Sequence, residues 1–414
     1  MNLGLQRIQR LCELMEMPQS KLKVIHIAGT NGKGSTTTFI ASVLISQGYK
    51  VGIYTSPYLE RFTERIKIND TEISEEEIIQ LIQEMRPYID NLQEEGLEHP
   101  TEFEIITAGA FKYFYDKEVD FVVMEVGLGG RYDATNVVNP LLGIITTISY
   151  DHVNILGDTL AKIAYEKAGI IKENIPVVIY HQEKEAMDVI MKVVEEKKAR
   201  PYFTDNIHFE LISNTLEGIV FNATGDDVYS MLKIKLLGEH QIYNALTALK
   251  GIEVLKAMGF KIDKASIYKG FENATWPGRF EVINTNPFIV LDGGHNIQGI
   301  NAIVSAVEEY FKGKKIKIVC GMLRDKNYEE MVIALTKISE EFITIAPNNP
   351  RALTAGELKK IIEKFGKNAE EAENIKAAVR LGMANVKNDE VLLFCGSFFM
   401  IGEVRTIIKE SQYI

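Results

Sequence analysis

Cysteine is scarce: Cys12, Cys320 and Cys395 are the three in 414 residues, too few and too scattered for a disulfide framework or a zinc site. Two of them, Cys320 and Cys395, fall inside apolar strand-like runs and read as buried thiols. No apolar run approaches the ~20 residues of a membrane span, so no membrane partner is expected. The opening MNLGLQRIQRLCELMEMPQ lacks the continuous hydrophobic stretch of a signal peptide and alternates charge with apolar residues. It reads as an amphipathic helix, which predicts a cytoplasmic protein. Blocks of lysine or arginine are also missing. With 46 basic against 57 acidic side chains and a net charge of -11, the chain carries no positive stripe for a nucleic-acid backbone. An anionic small substrate must then be met by a locally positive site built from a few cations, backbone N–H groups or metal, which points to Mg2+. There is no internal repeat and no low-complexity segment.

What is present is ordinary globular material, 46% apolar and 25% charged, which leaves no room for extensive disorder. Single cores stop growing near ~250–300 residues, so a chain of this length predicts two domains. The runs KVIHIAG, KVGIYTS, DFVVMEVG, LLGIITTIS and IPVVIY recur with helical segments between them. Strands of this type, buried on both faces and separated by crossover lengths, predict a parallel sheet. Residues 208–238 alternate polar and apolar residues around Gly and Asn turns, which predicts short antiparallel strands flanking the main sheet. After a long helix in HQIYNALTALKGIEVLKAMG, the break at NATWPGRFEV precedes a second βα series, FIVLDGG, KIKIVCGM, FITIAP and VLLFCGS. The predicted fold is α/β: a P-loop parallel-sheet ATPase domain over 1–277 and a smaller open, Rossmann-like α/β domain over 278–414.

The stretch HIAGTNGKGST carries the most chemistry. A strand ends at Gly29 and a helix begins near Lys33, so the loop Gly29, Thr30, Asn31, Gly32, Lys33, Gly34 can wrap an anion with N–H groups and a helix N-terminus. Lys33 would reach the β and γ phosphates, and Ser35 or Thr36 the magnesium. The spacing departs from GxxxxGK[ST], because two residues separate Gly29 from Gly32 and Gly34 follows the lysine. A nucleotide site needs a carboxylate nearby, and Glu125 in FVVMEVGLGG would emerge at the carboxyl end of a buried strand. Ser56 after VGIYT and His152 after IITTISYD occupy strand ends of the same sheet in this reading. Together Ser, Glu and a neutral imidazole can hold one or two Mg2+ ions, with water and phosphate oxygens completing the shells.

The ordered set HIAGTNGKGS, TSPYL, EVGLGGRYDATN, DHVNILGDT, EKAGI, GEHQIYNA, WPGRFE and DGGHN closely resembles folylpolyglutamate synthases and bifunctional dihydrofolate synthases of the Mur ligase superfamily. The resemblance runs from residue 26 to about residue 397. It implies an ATP-dependent ligase joining L-glutamate to folate or dihydropteroate, a monomer using ATP and two Mg2+ ions. It assigns Lys33, Ser35 and Thr36 to the triphosphate and first Mg2+, Ser56 and Glu125 to metal, and His152 to the second ion. Lys167 in YEKAGI matches a lysine carbamylated in that family; read without the resemblance, it is a helix-surface lysine paired with Glu166 or Glu173. Asn244 matches an adenine contact, Arg279 a phosphate contact, Asp292 a ribose or nucleotide contact, and His295 a residue facing nucleotide and glutamate. Because these lie on both sides of residue 278, the resemblance implies a nucleotide held between domains. Ser397 matches the glutamate side. Thr101, Phe103, Asp133 and Ala134 match pterin-contact positions, although a core phenylalanine and a helix-capping aspartate describe Phe103 and Asp133 equally well. Tyr58, Gly294 and Asn327 depart from the residues usual in that family, and none of them is a metal position.

A P-loop switch GTPase would carry NKxD and DxxG elements, and neither string occurs. Muramyl-peptide and cyanophycin-type ligases are nearer rivals. They usually have a substrate domain ahead of the phosphate loop, whereas 25 residues precede His26 in this sequence.

Overall fold

A computed structural model describes residues 4–410. Contacts within the chain divide it into two compact units. The first runs to Ser213 and takes in Val220–Lys235 and Tyr243–Ala274; the second is Asn214–Ile219, Leu236–Ile242 and Thr275 onward.

The first unit is organised by an eight-stranded sheet. Its spatial order is Thr71–Glu72, Ile66–Ile68, Val51–Tyr54, Phe121–Glu125, Val24–Ala28, Leu142–Ile145, Pro176–Ile179 and Arg200–Phe203. The six strands from Val51–Tyr54 to Arg200–Phe203 pair in parallel, and the two short strands at the other edge add on antiparallel. Val24–Ala28 and Phe121–Glu125 are buried along their whole length, which is why they read as continuous apolar runs and not as alternating ones. Register pairs Ile27 with Glu125, so the phosphate loop and the Glu125 carboxylate leave neighbouring strands at the same end. Helix Lys33–Ser46 follows the loop, and its Phe39 stacks on Phe271 at 5.3 Å. Two apolar cores pack against the sheet, one around Phe111, Phe114 and Met124, the other around Ile145, Ile163 and Ile190. The cysteines are free and buried, as the sequence predicts.

Strands His208–Thr215, Gly218–Thr224 and Val228–Ile234 form a three-stranded sheet of their own and do not extend the main one. The expected flanking strands are there, with pairing confined to themselves.

The second unit holds a six-stranded sheet in the order Glu281–Thr285, Phe288–Leu291, Val391–Cys395, Ile316–Cys320, Glu341–Thr344 and Asn368–Glu371. All pair in parallel except Glu281–Thr285, an antiparallel edge strand. Its core gathers Val290, Ile318, Leu393 and the helix residues Ile303 and Leu335. Among the described residues no helix is long and apolar enough to cross a membrane.

Candidate functional site

The loop Gly29–Gly32 is braced by the segment after the Leu142–Ile145 strand. Thr30 N–H bonds Thr147 O at 2.7 Å, and the Asn31 carbonyl accepts from the hydroxyls of Thr146 (2.8 Å) and Thr147 (3.2 Å). Gly32 caps the following helix at φ +85°, a left-handed conformation open to glycine. A Cβ there would lie 2.3 Å from Asn244 Oδ1, so the Asn244 side chain closes directly over the loop. Ser35 and Thr36 follow in the first helical turn and are buried.

Around this loop the distant candidates converge. Lys33 Nζ donates to Thr30 O at 3.2 Å and lies 3.8 Å from Glu125 Oε1. Lys167 is not on a helix surface paired with Glu166 or Glu173: it is buried, and its Nζ donates to the Gly29 carbonyl at 2.7 Å. Burial, reinforced by the positive charge of Lys33, pushes the Lys167 amine down to about 7. Asp151, a buried carboxylate that sequence reasoning passed over, opposes that shift. Its position beside His152 in SYDHVN was the available signal.

His152 requires a correction. The strand before it ends at Ile145, because Thr146 and Thr147 turn to brace the loop, so His152 is not at a strand end. It stands at φ +51° ahead of the short helix Val153–Leu156, its N–H bonded to Asp151 Oδ1 at 2.8 Å.

Hydroxyl donors are present for a metal. Ser56 Oγ and Thr36 Oγ1 are buried without a hydrogen-bond partner, a costly state unless a ligand supplies one. Among the described residues there is no group of three or more His, Cys, Asp or Glu side chains positioned to hold a metal ion. Hydroxyls, one carboxylate, waters and phosphate oxygens are the set that Mg2+ takes in nucleotide sites, so the donors fit.

A cavity of about 570 Å³ opens next to these residues, lined by Ser56, Thr101, Phe103, Gly127, Asp133 and Ala134 among others. Gly127 is pinched: a Cβ would meet Phe103 Cζ at 2.5 Å and Asp133 Oδ2 at 3.2 Å, so the ring and the carboxylate face one narrow gap. Thr101 caps helix Glu102–Asp116 by a reciprocal pair of bonds with Glu104. Asp133 likewise caps the short helix Ala134–Val137, and it also lines the cavity. Its carboxyl is raised above the ordinary range by burial, against hydrogen bonds from Thr135, Leu128 and Gly127. Arg65 and Arg7, the latter paired with Glu98 and Glu104, belong to the same lining. Neither was singled out from sequence, since Arg7 was read as part of an amphipathic helix.

In the second unit, Asp292 and Ser397 stand at the carboxyl ends of the neighbouring strands Phe288–Leu291 and Val391–Cys395. Asp292 is buried and accepts from Phe280 N–H (2.8 Å) and Gly294 N–H (2.6 Å), which pins the peptide next to Arg279. Arg279 lies over the Phe398 ring at 5.2 Å. His295 Nδ1–H donates to Gly293 O at 2.9 Å. Ser397 Oγ is buried without a partner.

Comparison with known proteins places this geometry in context. The Mur ligase middle domain matches residues 27–250, and the Mur ligase glutamate ligase domain matches residues 278–398. A Bacillus subtilis (strain 168) dihydrofolate synthase/folylpolyglutamate synthase is 37% identical, the match covering 98% of this chain and 95% of that one. Mycobacterium tuberculosis folylpolyglutamate synthase, crystallised with ADP and AMPPCP, superposes with a TM-score of 0.92 at 32% identity, over 99% of this chain and 96% of that one. Escherichia coli FolC in complex with DHPP and ADP gives 0.89 at 28% identity, over 99% and 94%.

Proposed function

The chain belongs to the Mur ligase family, and from that premise we propose that it is a folylpolyglutamate synthase, ligating L-glutamate to folates at the expense of ATP. The observation that carries this reading is the convergence, in one unit, of a phosphate loop with Lys33 and Glu125, and a cavity with Phe103 and Asp133.

A carboxylate is a poor acyl donor. The reaction therefore transfers the γ-phosphoryl group of ATP to a carboxylate oxygen, giving ADP and an acyl phosphate. The glutamate amine then attacks the acyl carbon, loses a proton, and the tetrahedral intermediate expels phosphate. Little covalent work is asked of the protein, and positioning with charge neutralisation supplies the rate. The backbone N–H groups of Gly32–Gly34 and the Lys33 ammonium hold the triphosphate. Ser35, Thr36, Ser56 and Glu125 would hold Mg2+, with His152 and Lys167 serving a second ion. Bound there, the metal neutralises charge on the transferring phosphoryl group.

The role given to Lys167 is that of a carbamate: its neutral amine adds CO2, loses a proton, and a cation becomes a carboxylate. Its burial against the Gly29 carbonyl supports this, since desolvation favours the neutral amine that the addition needs. Phe103 stacks on the pterin ring and Asp133 accepts from its amino-pyrimidine edge. Residues 1–277 form the nucleotide- and folate-binding domain, which carries Asn244 beside the phosphate loop, and 278–414 the glutamate-ligase domain, which carries Arg279, Asp292, His295 and Ser397. The enzyme is assigned to the cytoplasm, as a monomer that can also accept dihydropteroate.

Acceptor-dependent ADP release tests the reading. With Mg-ATP and glutamate, turnover is expected with a tetrahydrofolate or dihydropteroate and not without an acceptor. ADP release indifferent to the acceptor would reject it.

A further inference from the structure

His26 is the central residue of the Val24–Ala28 strand and is fully buried between Ile25 and Ile27. A polar ring in the middle of a parallel sheet is costly unless its bonds compensate. Nε2 lies 2.8 Å from Thr135 Oγ1, and Thr135 Oγ1 lies 2.5 Å from Asp133 Oδ1. Thr135 N–H bonds that same carboxylate oxygen at 3.0 Å, while Asp133 Oδ2 takes Leu128 N–H at 2.8 Å.

The proton directions follow from counting. A threonine hydroxyl has one hydrogen; Asp133, raised by burial yet accepting N–H groups on both oxygens, is bonded as an ionised carboxylate, which only accepts. The Thr135 hydrogen therefore points at Asp133, and the Thr135 oxygen must accept from the imidazole. That places the hydrogen of His26 on Nε2 and leaves Nδ1 bare, and Nδ1 indeed has no hydrogen-bond partner. The ring stays neutral, its burial and the nearby Lys172 pushing it down to about 3. The result is a one-way chain from imidazole N–H to hydroxyl to carboxylate, in which each bond polarises the next.

We propose that His26, acting through Thr135, is a positioning residue that fixes Asp133 as an oriented acceptor for the pterin edge of the acid substrate. Two donors from Thr135 saturate one oxygen of Asp133. The other lies beside Phe103 at the pinch formed by Gly127, so the orientation of the carboxylate decides where a ligand donor must come. The inference rests on the reading of the cavity as the pteroyl site, and it adds a selectivity element on the strand that also leads into the phosphate loop.

The test uses the full chain and varies the pterin acid and ATP separately in steady-state ADP release. Thr135→Val removes the hydroxyl and keeps the shape; His26→Leu removes the ring donor. Each is expected to raise KM for the pterin acid about fivefold to tenfold while KM for ATP moves less than about twofold. Thr135→Ser and His26→Gln keep a donor and are expected to recover to within about twofold of the parent. Where His26→Leu fails to fold, the Thr135 pair decides alone. Equal rises in both KM values, or Ser and Gln variants as impaired as Val and Leu, would overturn the inference. Asp133→Asn separates the levels. If it leaves the pterin KM unchanged, the cavity reading falls and the relay with it; if it impairs binding and Thr135→Val does not, the relay alone falls.

Discussion

The phosphate loop and the start of its helix are eight consecutive residues, Gly29 to Thr36, whereas the neighbouring cavity draws its lining from as far apart as Gly4 and Glu166. The first is a local solution. A strand end, a glycine in left-handed conformation and a helix N-terminus suffice to present N–H groups, and packing has only to brace them. The second depends on the whole sheet, because ring, carboxylate and hydroxyl come from three separate connections and meet only when the strands are in register. The two regions should therefore fail differently when altered: the loop through the chemical step, the cavity through the affinity for one substrate.

The largest expected effect sharpens that contrast. Lys33→Ala and Glu125→Ala should each lower kcat by about a thousandfold, as removal of preorganised charge at a transferring group does. Rapid-quench ADP measurement checks this, and KM for the pterin acid should barely move. Next comes Lys167→Ala, with a loss of about a hundredfold that millimolar formate or acetate partly restores. A related test follows the sign of its shifted amine: below about 7 the buried group is mostly protonated, above it mostly neutral. After CO2 removal, reactivation at equal dissolved CO2 should be about tenfold slower at pH 6 than at pH 8. Pocket changes come lower. Asp133→Ala should raise KM for the pterin acid about tenfold to a hundredfold, the worth of a hydrogen bond to a charged group. Phe103→Ala should do so by about tenfold through lost stacking. A parallel rise in KM for ATP in either variant would break the distinction between the regions.

That distinction also explains what could be read in advance. Both parallel sheets were legible because their strands are buried on two faces and read as unbroken apolar runs, as FVVME and VLLFC do. Lys33, Ser35 and Thr36 were legible because their chemistry is contiguous. Lys167 was not legible from its own surroundings: its partner, Gly29, lies 138 residues earlier, and local sequence could offer only Glu166 or Glu173. The resemblance brought it in. His152 was misplaced since Ile144 to Ser149 looks like one strand, yet half of it is spent on bonds to the loop. The bond made by His26 was hidden for the same reason as that of Lys167: the residue precedes the most conspicuous motif in the chain, while its partner, Thr135, lies 109 residues later.

The central claim is that the acid held in the cavity is phosphorylated by the nucleotide held at the loop. It is tested most directly by turnover of a pterin acid carrying 18O in its carboxylate, with Mg-ATP and glutamate, followed by mass analysis of the released phosphate. One 18O atom per phosphate is the predicted result; phosphate free of label, with product amide formed, would contradict the account.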